Sequence, residues 1–117
     1  MSIVPILTVN FFLASSGKEP VRDWLRELET KDREMIGEDI KLVQFRWPLG
    51  MPLVKKMEAD LWEIRSRLEN GNISRVFFTV KDSEMILLHG FIKKSQKTPR
   101  KEMELARIRK NQWFNEV

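Results

Sequence analysis

The sequence predicts an α+β fold: a small four-stranded, mainly antiparallel sheet with an N-terminal helical hairpin packed on it and a C-terminal helix. Three observations carry the prediction. Two segments, 61–68 and 73–80, read as strands and are separated by Asn70-Gly71, the strongest short-range hairpin signal a sequence offers. Two earlier segments place apolar residues at helical spacing, and a dense set of chain breakers lies between the helical and extended parts. At 117 residues the chain is expected to form one domain spanning 1–117, with a modest core.

The first element, Ile3 to Leu13, is rich in Ile, Val, Thr and Phe and reads as a strand, with Pro5 near its start or on a sheet edge. Ser15-Ser16-Gly17 breaks the run. Pro20 then opens a helix whose Val21, Trp24, Leu25 and Leu28 keep the i, i+3, i+4, i+7 spacing of a buried stripe. Thr30-Lys31-Asp32 supplies turn and N-cap chemistry for a second helix, with Ile36, Ile40, Val43 and Trp47 on one stripe. The two helices are expected to form an antiparallel hairpin across the sheet.

Pro48, Gly50 and Pro52 end the helix and make a loop over 48–54. In 61–68, Trp62, Ile64 and Leu68 fall on one parity and Glu63, Arg65 and Arg67 on the other, the period of a half-buried strand. Segment 73–80 carries Arg75 as its only charge. Lys81-Asp82-Ser83-Glu84 makes a polar turn, and Met85 to Ile92 is an almost wholly apolar strand suited to the sheet centre. From Pro99 a last helix carries Met103, Ala106 and Lys110 on a stripe flanked by Leu105, Ile108 and Trp113.

The net charge of +4 is uneven: residues 1–54 carry −1, 55–88 carry 0 and 89–117 carry +5. A basic C-terminal quarter fits either a polyanionic partner or a solvated helix face. No cysteine is present, which excludes disulfides and thiolate chemistry, and one histidine leaves little from which to build a zinc site, so no metal or cofactor is expected. The apolar N-terminal run is too short to span a bilayer and lacks a basic start, which predicts a soluble, cytoplasmic protein.

The chemistry-bearing residues concentrate after residue 54. Arg65, Arg67 and Arg75 on neighbouring strands, with Lys93, Lys94, Lys97, Arg100 and Lys101 at the exit of the last strand and Lys55 and Lys56 upstream, offer cations to a phosphate chain. The competing structural reading is a cross-strand salt bridge from Glu63 on a solvated face. Cations around a phosphate also stabilise a phosphorane-like transition state, and RNA supplies its own nucleophile in the 2′-OH. Such cleavage needs a base and a proton donor but no metal. The candidate bases are Glu58, Glu63 and His89; the candidate acids are His89 or a lysine of depressed pKa. The chain has no tyrosine.

Leu61-Trp62-Glu63-Ile64-Arg65, Arg75, and the run from His89 through Lys93-Lys94 to Pro99, followed by Glu102-Met103-Glu104-Leu105-Ala106-Arg107, resemble the phage-derived Gp49-like branch of the RelE/HigB toxins. The resemblance implies a RelE-like, microbial RNase-like fold. It also implies a type II toxin that enters the ribosomal A site and cleaves mRNA, neutralised by a cognate HigA-like helix-turn-helix antitoxin. By position, it makes Arg65, Arg67, Arg75 and Lys93 or Lys94 the phosphate-holding and charge-offsetting residues, and Glu58 the candidate base. Relatives with a catalytic tyrosine or a C-terminal histidine have no counterpart here. Two other readings follow from the same scaffold: a non-catalytic inhibitor of the gyrase-poisoning ParE type, and a phage-derived RNA-binding module.

Overall fold

The computed structural model describes residues 4–93 and 99–116. Its elements are β1 (Thr8–Phe11), α1 (Pro20–Glu27), α2 (Thr30–Arg46), β2 (Val54–Glu58), β3 (Leu61–Arg67), β4 (Ile73–Lys81), β5 (Glu84–Lys93) and α3 (Arg100–Glu116). The α+β class is as predicted, but the sheet has five strands, ordered β1-β5-β4-β3-β2. β1 runs parallel to β5, and the other three pairings are antiparallel. The additional strand is β2. Its sequence, Val54-Lys55-Lys56-Met57-Glu58, has little apolar alternation, because an edge strand is held by its neighbour's backbone more than by its own side chains.

The turns follow from local chemistry. Gly71 takes φ 89° and its N–H donates to the Leu68 carbonyl at 3.0 Å, closing the β3–β4 hairpin through the conformation glycine adopts most readily. At the β4–β5 hairpin Asp82 and Ser83 have φ 51° and 64°, two consecutive left-handed residues whose twist matches that of the strands they join. The N-terminal strand is shorter than the run from Ile3 to Leu13 suggested. It pairs with β5 only over Thr8–Phe11, where the parallel ladder lasts.

Pro20 stands at the first position of α1, where its missing N–H costs nothing. α2 begins one residue earlier than expected: Glu29, not the Thr30-Lys31-Asp32 group, is its N-cap, and the Glu29 side chain makes no capping hydrogen bond among the described residues. Pro99 lies just before α3 and its carbonyl accepts the first helical bonds, from Glu102 and Met103 at 3.1 and 3.2 Å.

Each face of the sheet has its own core. On one, α1 lies against β5 and β1 and α2 against β3, burying Val21, Ile36, Ile40, Val43, Ile64, Val76, Phe78 and Leu87. Trp47 and Trp62 meet edge to face at 5.0 Å, and Trp62 stacks on Phe78. Trp24 lies so close over Gly90 that a Cβ there would fall 2.4 Å from its ring, which explains a glycine in the middle of a central strand. On the other face α3 covers only part of the sheet, packing Met103, Ala106 and Trp113 on Leu61, Phe77, Ile86 and Leu88. No described helix is long and apolar enough to cross a membrane.

Candidate functional site

Strand register decides which charges share a face. Residues directly opposite each other in an antiparallel pair project to the same side. Arg65 is opposite Arg75, which is opposite Phe91. Arg67, Ile73 and Lys93 form the next row toward the open end of the sheet, and Lys55, Glu63, Phe77 and His89 the row toward α3. Lys55, Arg65, Arg67, Arg75 and Lys93 therefore lie on one face, the one α3 only partly covers. Lys56 does not join them. It follows Lys55 by one residue, projects to the α1/α2 side, and sets its ammonium 5.9 Å from the Trp62 ring.

Arg75 and Glu63 form an ion pair that is almost wholly enclosed: Glu63 is 0% and Arg75 3% exposed. The cross-strand salt bridge foreseen as an alternative is thus present, but in the floor of the face rather than on a solvated surface. Among the described residues the Arg75 Nε finds no hydrogen-bond partner. Above this floor Arg65 and Lys93 are half-buried, and Arg67 and Lys55 are exposed. Partial burial, then the nearby Arg75, lower the pKa of the Lys93 ammonium; Arg65 and Lys55 act the same way and Glu63 opposes them. Pro52, Leu53, Arg65, Arg67 and Ile73 enclose a cleft of about 290 Å³ at the open end.

The other candidate acid–base residues sit beneath or beside α3. His89 is stacked beside Phe77 and Phe91, and its Nε2 meets the Glu102 carboxylate. The Arg109 guanidinium lies 3.2 Å from Nδ1 and also donates to the Leu88 carbonyl at 2.9 Å. These contacts fit one tautomer: Nε2–H donates to Glu102 and Nδ1 accepts from Arg109, so the ring is neutral. Burial lowers the His89 pKa, Glu102 works against that, and Arg109 adds to it. Glu58 accepts from Arg107 Nε at 2.7 Å, and Lys110 reaches the Ala59 carbonyl at 3.1 Å, so the turn after β2 is fastened to the C-terminal half of α3.

Of the residues selected from sequence, the structure thus groups Lys55, Arg65, Arg67, Arg75 and Lys93. It places His89 and Glu58 in contacts with α3, and Arg100 and Lys101 exposed on the first turn of that helix. Lys94 and Lys97 lie outside the described residues. Sequence reasoning passed over Pro52, Leu53 and Ile73 in the cleft and the α3 partners Glu102, Arg107 and Arg109. The spacing of Glu102, Ala106, Arg109 and Trp113 along one helical face was the available signal for two of those partners.

A helical layer on one face of the sheet, with a helix over part of the other and cations on the remainder, defines a small α+β protein built to present a basic sheet face. The family model Phage derived protein Gp49-like (DUF891) matches residues 23–111, from α1 through most of α3, and the chain belongs to that family. It is a RelE-like toxin family. No curated protein matches the chain.

Proposed function

We propose that this protein is the toxin of a type II toxin–antitoxin system and a metal-independent endoribonuclease, acting in the cytoplasm on mRNA in the A site of the 70S ribosome. A cognate HigA-like helix-turn-helix antitoxin holds it inactive. The observation that carries the reading is the register of Arg65 opposite Arg75, which gathers Lys55, Arg65, Arg67 and Lys93 on one face around the Glu63–Arg75 pair. Membership of a RelE-like toxin family supports it.

In this mechanism Arg65 and Arg67 hold the scissile phosphate and offset charge in the transition state, and the buried Arg75 keeps Glu63 in place beneath them. The 2′-oxygen attacks phosphorus and gives up its proton to a solvent water, the P–O5′ bond breaks, and a proton is delivered to the leaving 5′-oxygen. The products are a 2′,3′-cyclic phosphate and a 5′-hydroxyl. Lys93, whose pKa is lowered, is the proton donor, and correct placement of the chain on the ribosome supplies much of the rate.

The engagement of Glu58 by Arg107 and of both His89 nitrogens by α3 favours a second reading, a non-catalytic inhibitor of ParE type, because it removes two candidate bases from ready use. One experiment separates the two. Parent and Arg65→Ala are induced in a bacterial host and the 5′ ends of cellular mRNAs are mapped soon afterwards. New ends in phase with codons, lost in a folded Arg65→Ala variant, support the nuclease; growth arrest without new ends supports the inhibitor.

A further inference from the structure

The cleft beside the phosphate-facing arginines has walls that a phosphate does not need. Leu53, Pro52 and Ile73 line it together with Arg65 and Arg67. Its shape is held by backbone: Arg65 N–H donates to the Leu53 carbonyl at 2.8 Å, and Val54 N–H to the Gly50 carbonyl at 3.1 Å. Ile73 stands directly between Arg67 and Lys93 in its cross-strand row, an apolar side chain between two cations. Among the described residues it belongs to neither hydrophobic core cluster.

From this arrangement we propose that the cleft receives one unstacked base of single-stranded RNA, with the adjoining phosphate on Arg65 and Arg67. The inference deepens the nuclease reading and rests on it. A phosphate is fully served by cations and gains nothing from apolar contact, whereas a base has two apolar faces to remove from water and stacks on a guanidinium plane. The volume, about 290 Å³, equals roughly ten water molecules at about 30 Å³ each, room for a base rather than for a duplex. An acidic protein segment fits less well, since its carboxylates would use the cations and leave the Leu53–Ile73 walls uncovered.

The test compares two probes of equal length and charge: a short single-stranded oligoribonucleotide and its abasic counterpart. The parent protein is expected to bind the oligoribonucleotide about tenfold more tightly, the size of one base–side chain stacking contact. Ile73→Ser is expected to erase that discrimination and Ile73→Phe to keep it, with thermal melts confirming that both variants fold. Equal affinity of the parent for the two probes overturns the base site while leaving phosphate binding intact. Retained discrimination in Ile73→Ser also overturns it. Failure to bind either probe overturns the RNA reading together with the base site and points to a protein target.

Discussion

Removing Arg75 tests whether the candidate site is built on its buried ion pair. Arg75→Ala takes the guanidinium away from a carboxylate with no exposure to water. Breaking a buried pair by deleting one partner costs about 3–5 kcal/mol, because the remaining charge loses its compensation without regaining hydration. Here the lower end, about 3 kcal/mol, is expected, since Lys93 also interacts favourably with Glu63. With about 2.1 cal/mol/K of unfolding entropy per residue, a chain of 117 residues has about 0.25 kcal/mol/K, so the melting temperature should fall by about 12 °C. Thermal unfolding followed by circular dichroism measures this directly. The double variant Glu63→Leu/Arg75→Met should recover most of the loss, because replacing both partners by apolar groups removes the stranded charge. A shift below about 3 °C in Arg75→Ala, or a double variant no more stable than the single one, would refute the claim that Arg75 compensates Glu63. The consequence for function is practical: loss of toxicity in Arg75→Ala reports on folding as much as on chemistry, and Arg65→Ala is the cleaner probe.

Two further outcomes are expected. Gly90→Ala should destabilise the protein by about 1–3 kcal/mol, since the new Cβ meets the Trp24 ring at 2.4 Å and one of them must move; a chemical denaturation midpoint equal to the parent's would show that the contact yields freely. His89 is the one histidine of the chain and its pKa is lowered in the folded state, so the unfolded chain takes up the proton first. The stability this contributes is complete above the ordinary value of 6.5 and is lost as pH falls from there through the folded pKa. Melting temperatures across pH 8 to 5.5 should therefore decline below neutrality in the parent and decline less in His89→Phe; parallel profiles would dissociate the effect from this ring.

Much of this protein was determined by sequence alone, because local periodicity and turn chemistry are properties of neighbouring residues. Alternation in Leu61–Leu68, the Asn70-Gly71 turn, Pro20 at a helix start and the Ile36-Ile40-Val43 stripe each specified an element that the fold contains. Parity also placed Glu63, Arg65 and Arg67 on one side of β3, and the family resemblance was carried by these same strands. Tertiary structure decided what depends on distant partners. β2 is a strand because β3 pairs with it, and its own five residues carry no comparable signal. A slip of one residue between β3 and β4 would send Arg75 to the opposite face from Arg65, so their shared surface exists only through the register. Burial was equally beyond reach: nothing local distinguishes Glu63 from Arg67, yet one is enclosed beside Arg75 and the other is exposed at the cleft. The position of α3 over part of one sheet face, which engages His89 and Glu58 and leaves Arg65 and Arg67 uncovered, follows from contacts between residues 13 to 49 positions apart in the chain.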